Sequence, residues 1–299
     1  VKAGDLIIKL DGKSVKGISL MEAVKMMRGK PGSEIILTIL REGEEKPFNL
    51  PVVRDVITVK NIKADTKDIV KLLNKPETLN SIFHFGEFAR IYQSFINMND
   101  CINSNTIGSN AVFNFCLKHK IKLIYSATSA TLGNNGNDKN LSPYAFTKAK
   151  NLELLENLKR WFNFKFEVIY FYNVYGPNQI CKGNMATVIG IFENCFKNNK
   201  PITIVKPGTQ SRRFTHIFDT VNICYLAWKN NKCRHYSISN HKSYTILEVA
   251  KMFGSKIKFL NQRPGERYAS ALTNLNLKNK VFKHFGKIKL KDYISNITK

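Results

Sequence analysis

Residues 122–130 read KLIYSATSA, residues 145–162 read AFTKAKNLELLENLKRWF, and residues 166–176 read FEVIYFYNVYG. The outer two are apolar runs of strand length, and the middle one places Leu152, Leu155, Leu158 and Phe162 at helical spacing. Strand, helix and strand in that order predict parallel strands joined by a crossover, and largely apolar strands predict a sheet covered on both faces. Upstream the alternation continues: NIKAD (61–65) as a strand, TKDIVKLLNK (66–75) as a helix, SIFHFGEF (81–88) as a strand and NAVFNFCLKHK (110–120) as a helix. The predicted class is therefore α/β, a doubly wound parallel sheet. The last ninety or so residues are less regular and predict a smaller lobe.

Residues 1–57 carry a different pattern. DLIIKLDG (5–12) and EIILTILREG (34–43) are strand-like runs around an amphipathic helix, SLMEAVKMMRG (19–29), with turn chemistry at Gly12, Gly32 and Gly43. No His or Cys stands there, so this small α+β piece reads as a binding module. Val1 is not an initiator Met and no signal peptide follows, which predicts an upstream part lost from the chain.

Of the 299 residues, 43% are hydrophobic and 23% are charged, and the formal net charge is +25. That balance is globular, long enough for two cores, and no apolar run approaches the roughly 18 residues of a membrane helix. The positive charge attracts phosphate. Yet the lysines are scattered beside asparagines (KNNK 197–200, LNLKNK 275–280), which argues for solvated faces and against nucleic acid. An anionic small substrate satisfies the charge equally well. The six cysteines form no C-x-x-C pair, predicting reduced, mostly buried thiols in a cytoplasmic protein, with neither zinc nor disulfides.

SPYAFTKAK (142–150) sets Tyr144 and Lys148 four residues apart at the head of the long helix. Residues i and i+4 share a face, so a lysine there favours the phenolate of a group whose ordinary pKa is near 10. The hydroxyl-rich end of YSATSATLG (125–133) falls at the carboxyl end of a strand, where doubly wound sheets gather ligands. A second Y-x-x-x-K pair, Tyr225 and Lys229, sits in the apolar run VNICYLAW (221–228), where a core tyrosine is the expected reading.

The stretches IFHFGEFARIYQSF (82–95), LIYSATSATLG (123–133), SPYAFTKAKNLELL (142–155), FYNVYGPNQ (171–179), PGTQSRRFTHIFD (207–219) and RPGERYAS (263–270) resemble, in order, the extended short-chain dehydrogenase/reductases, in particular the NAD-dependent nucleotide-sugar epimerases and dehydratases. The resemblance implies Tyr144 as the proton-transferring group, Lys148 as the residue that lowers its pKa and holds the nicotinamide ribose, and Thr128 as the hydroxyl bonding sugar and tyrosine. It implies Asn173, Arg212 and Arg267 at the nucleotide-sugar phosphates, where planar guanidinium forks suit phosphate. Asp65, Thr66 and Gly86, with Glu87 alongside, fall near the NAD cofactor, although an aspartate before Thr66 equally reads as a helix N-cap. A nucleoside diphosphate sugar is the implied ligand and a homodimer the implied assembly. The implied division is an NAD-binding core over about 58–172 and 209–240 and a substrate lobe over about 173–208 and 241–299.

Residues 3–57 resemble the PDZ domain of bacterial C-terminal processing peptidases, through GD, DGKSV, MRGKPG and RDVI. That implies a peptide C-terminus as partner, although the family's peptide-binding loop and protease core have no counterpart in this chain.

Dehydratases of the sugar-nucleotide family set an Asp-Glu pair directly after the catalytic Thr. Ser129 and Ala130 stand there in this chain, so the resemblance implies 4-epimerisation through a 4-keto sugar, or 4-reduction, rather than elimination. No glycine-rich turn of the G-x-G-x-x-G type is present. The Rossmann-like sheet is therefore expected to be incomplete, with a bare edge at SIFHFGEF and impaired cofactor binding, the chain being a join of two unrelated parts. The alternative is a peptide-binding module on a non-catalytic scaffold.

Overall fold

A computed structural model describes residues 1, 4–18, 20–55, 64–132, 134–232, 234–265 and 281–299. The chain forms two compact units, Val1–Lys63 and Ala64–Lys299.

In the first unit, strands β1 (Leu6–Leu10), β2 (Lys13–Ser14), β3 (Glu34–Leu40) and β4 (Phe48–Val53) pair antiparallel in the order β2-β1-β3-β4, with helix α1 (Leu20–Met27) between β2 and β3 in sequence. Strand β3 shows why: its odd residues Ile35, Leu37 and Ile39 are buried with Leu10, while Glu34, Ile36 and Leu40 face outward.

The second unit is built on five strands, all parallel. Their sequence neighbours are α2 (Ile69–Leu72), β5 (Ser81–His84), α3 (Ile91–Ile96), α4 (Met98–Ile102), α5 (Ser109–Lys118), β6 (Lys122–Thr128), α6 (Pro143–Phe162), β7 (Phe166–Phe171), β8 (Val174–Tyr175), α7 (Val188–Lys197), β9 (Ile202–Val205), β10 (Ser211–Arg213), β11 (Thr215–His216), α8 (Ile217–Asn230), β12 (His235–Ser239), β13 (Ser243–Thr245), α9 (Ile246–Met252), β14 (Ile257–Leu260), β15 (Val281–Phe285) and α10 (Leu290–Thr298). The sheet order is β15-β12-β7-β6-β5.

Strand periodicity feeds two cores. Leu123, Tyr125, Phe166, Val168 and Tyr170 pack with Phe113, Leu155 and Leu158 of α5 and α6, whereas Ile124 and Ile169 pack with Ile223, Cys224 and Ala227 of α8. Each buried Val, Leu, Ile or Phe side chain contributes roughly 1.5–3 kcal/mol of apolar transfer. A third cluster, with Ile189, Phe192, Ile202, Phe214, Val249, Phe253 and Leu290, makes the smaller lobe.

Helix α6 starts where its chemistry dictates. Ser142 Oγ accepts the Ala145 N–H at 3.1 Å, Pro143 occupies the first turn, and Asn163 closes the helix in the left-handed region at φ 52°.

The sheet is Rossmann-like, with five strands among the described residues. Among the described residues β5 pairs with β6 alone, and Phe83 and Phe85 are 44% and 42% exposed. Three local expectations need correction. TKDIVKLLNK forms only a 3-10 turn, Thr66–Asp68, and the single turn α2, because Asn74 and Pro76 follow and Leu73 leaves helical geometry. FEVIYFYNVYG breaks into β7 and β8 at Tyr172 and Asn173, the latter at φ 27°. Tyr225 is not a core residue but 53% exposed: α8 buries Ile223, Cys224 and Ala227 and turns Tyr225 and Trp228 outward. Most of NIKAD lies outside the described residues. No described helix is long and apolar enough to cross a membrane.

Candidate active site

The carboxyl ends of β5, β6 and β7 open into a cavity of about 540 Å³ roofed by the smaller lobe. Tyr144 and Lys148 of α6 and Thr128, the last residue of β6, line it together. Asn173 and Arg212 line it as well. Five of the residues singled out in the sequence thus meet at one place, although 84 positions separate Thr128 from Arg212.

Thr128 caps the short turn Ser129–Thr131, its Oγ1 accepting the Ala130 N–H at 3.1 Å. Ser129 and Ala130 also face the cavity, and neither supplies a carboxylate. Asn173 Nδ2 donates to the Arg213 carbonyl at 2.8 Å, which ties the β7–β8 break to β10.

Lys148 is buried, and its ammonium is held from several sides. It donates to Glu87 Oε2 and to the Ser126 carbonyl, and it lies 4.6 Å from the centre of the Tyr125 ring. Burial lowers the Lys148 pKa, and Glu87 opposes that shift. Glu87 in turn accepts from Ser109 Oγ at 2.7 Å, Tyr125 OH at 3.0 Å and Asn151 Nδ2 at 3.3 Å. His84 Nε2 lies 3.0 Å from the same Ser109 oxygen. With the Ser109 hydroxyl donated to Glu87, His84 is assigned as the Nε2–H tautomer. Burial pushes the His84 pKa down to about 4.

The remaining expected positions fall elsewhere. Asp65 caps the Thr66–Asp68 turn by accepting the Lys67 N–H at 3.1 Å, and its side chain lies 3.2 Å from the Lys67 ammonium. Thr66 packs close to Gly108 and Gly86, and Gly86 lies between the cavity residues Phe85 and Glu87. Arg267 lies outside the described residues. Sequence reasoning passed over two arginines on the cavity wall, Arg90 and Arg263; Arg263 stacks over Tyr92 at 4.9 Å. Its signal was present in the RPGER stretch, which holds two arginines at 263 and 267.

The model of the NAD dependent epimerase/dehydratase family matches residues 29–240, and that of the PDZ domain matches residues 1–40. The chain belongs to the NAD dependent epimerase/dehydratase family. It is 25% identical over 209 residues to an ADP-L-glycero-D-manno-heptose-6-epimerase of Fusobacterium nucleatum, covering 63% of this chain and 62% of that protein. It is 52% identical over 63 residues to a carboxy-terminal-processing protease of Bartonella bacilliformis, covering 21% of this chain and 14% of that one. The chain thus spans less than two thirds of either relative. The fold is shared with the UDP-glucose 4-epimerase of Thermotoga maritima, solved with UDP-glucose, at a TM-score of 0.63 and 21% identity over 78% of this chain and 79% of that one.

Members of the NAD dependent epimerase/dehydratase family use NAD, and the residues of this cavity match one end of that cofactor better than the other. The nicotinamide end fits: a buried lysine, a tyrosine and a threonine share one cavity wall at the strand ends. The pyrophosphate end does not. Among the described residues no glycine-rich turn joins a strand to a helix; Gly86 has only Thr66 near its absent side chain, at 3.7 Å, and makes no cradle.

Proposed function

We propose that this chain carries the site of a nucleotide-sugar 4-epimerase, working through a 4-keto sugar, with cofactor binding impaired. The observation that carries the reading is the meeting of Tyr144, Lys148, Thr128, Asn173 and Arg212 on one cavity large enough for a sugar and its diphosphate. In this reading Tyr144 accepts the proton of the sugar 4-hydroxyl, Thr128 hydrogen-bonds that hydroxyl, and Lys148 with Tyr144 holds the nicotinamide ribose. NAD, when bound, supplies the hydride acceptor for the sugar carbon. Asn173, Arg212 and Arg267 hold the diphosphate. The absence of an acid pair at Ser129 and Ala130 favours epimerisation over loss of water, since elimination needs a carboxyl group at the sugar. Asp65, Thr66 and Gly86 are assigned to the cofactor's far end, and the divisions at about 58, 173, 209 and 241 to core and lobe.

Two titrations test this. UDP-glucose is expected to raise the melting temperature, an effect that Arg212→Met removes; no shift with either UDP-glucose or UDP-glucuronate at millimolar concentration would sink the substrate reading. NAD is expected to bind more weakly than micromolar, and submicromolar binding would overturn the impairment. Where turnover is measured at saturating NAD, Tyr144→Phe is expected to lower it about 10²- to 10⁴-fold, the range of a positioned general acid–base.

The PDZ match favours a second role for residues 1–57, capture of a peptide C-terminus. A pull-down with apolar C-terminal peptides tests it, and failure with every peptide ends it.

A further inference from the structure

Glu87 is the only acidic side chain among the described residues lining the cavity, and Lys148 takes its charge. Arg90 lines the same wall. It directly precedes α3, whose Ser94 Oγ accepts the Tyr144 backbone N–H at 3.2 Å, so the arginine is held against the head of α6. The guanidinium donates to two main-chain carbonyls, Ala89 at 2.8 Å and Met185. Its Nε–H has no acceptor, and no carboxylate pairs with it among the described residues. Burial lowers its pKa, and Tyr144 is near enough to act on it in the opposite direction.

A guanidinium in a half-dry cavity, for which the described residues supply no counter-ion, is destabilising, and that strain is relieved when an anion arrives with the ligand. Its place says which anion. Arg212 is assigned to the diphosphate, whereas Arg90 stands beside the group that meets the sugar hydroxyl. A carboxylate is flat and matches the guanidinium fork, so it is the sugar substituent that this side chain selects.

We propose that Arg90 receives a carboxylate borne by the sugar, so that the site takes a nucleoside diphosphate uronic acid in preference to the neutral hexose. This rests on the nucleotide-sugar reading of the cavity and sharpens it to one substrate class. No bond forms or breaks in the step; it is recognition alone.

The test is calorimetric titration of the full chain with UDP-glucuronate and UDP-glucose, which differ only in a carboxylate against a hydroxymethyl at C6. Glucuronate 1-phosphate and glucose 1-phosphate repeat the comparison without a base. The acidic ligand of each pair is expected to bind roughly 10- to 100-fold more tightly, the worth of a hydrogen-bonded charge pair. Arg90→Gln is expected to bring the two within about threefold, and Arg90→Lys to restore part of the gap. Equal affinities in the unmodified chain, which needs no variant to fold, would overturn the proposal while leaving the nucleotide-sugar reading in place. A preference untouched by Arg90→Gln would overturn it as well. Failure of all four ligands to bind would remove both.

Discussion

The carboxylate of Glu87 meets the ammonium of Lys148 where both side chains are almost sealed from solvent, 2% and 4% exposed. A lysine expected to lend its charge to Tyr144 therefore already has a counter-ion, supplied from the loop after β5. Removing one member strands the other in a low-dielectric site, at a cost of about 3–5 kcal/mol. Glu87→Gln and Lys148→Met are each expected to lower the unfolding free energy by that order. The double variant should recover much of it, with an interaction energy of about 1–3 kcal/mol in a denaturant-based double-mutant cycle. Additive losses would show that the pair is not coupled.

His84 links this network to pH. Its pKa falls to about 4 in the folded chain, below the ordinary 6.5 of the unfolded one. The unfolded state therefore binds more protons between those values, and stability drops as pH falls from about 6.5 to 4, by on the order of 3 kcal/mol in all. Chemical denaturation at stepped pH should show that slope, and His84→Gln should flatten it.

Leu155 is fully buried between α6 and the sheet. Leu155→Ala is expected to cost about 2–5 kcal/mol, the range for a large-to-small change in a packed core. Leu152 on the same helix, only partly buried, should cost less. Urea titrations of the two variants check the order.

Gly176 sits at φ 147°, and a Cβ there would come within 2.6 Å of Ile217 Cγ2. Gly176→Ala adds both backbone strain and a clash at the junction of β8 and α8. It is expected to destabilise by roughly 1–3 kcal/mol, measured as a lowered melting temperature.

Thiol chemistry offers a last check. Burial pushes Cys116 and Cys224 up to about 12, so neither forms a thiolate near neutral pH. Cys181 and Cys195 are only half-buried. A disulfide reagent should label the latter pair in the native chain and reach the former only on unfolding.

The sequence was legible where one element decides the outcome. Leu152, Leu155 and Leu158 announced α6, Ser142 and Pro143 marked its start, and the residues of β6 and β7 divided between two faces by simple alternation. Tyr225 departs from its expected place because VNICYLAW is apolar at every position but Asn222, so periodicity names no clear inner face; the sheet chose Ile223, Cys224 and Ala227. The Glu87–Lys148 pair spans 61 positions, and no local rule links them. Arg90 was visible as a letter, but its place beside Tyr144 depends on how α3 packs on α6, which is a property of the tertiary fold. The absence of a G-x-G-x-x-G pattern, by contrast, is a property of the letters alone, because a glycine requirement is written in the residue itself.

The outer side of β5 has a consequence for how copies of this chain behave together. A row of amides and carbonyls at the end of a parallel sheet, flanked by Phe83 and Phe85, is a template on which another extended segment can crystallise in register. Mutual repulsion from a net charge of +25 keeps molecules apart at low ionic strength, and salt shortens its reach to about 10 Å at 0.1 M. Colloidal behaviour is thus a contest between strand edges such as that of β5, which only β6 pairs among the described residues, and the lysines spread over the rest of the surface.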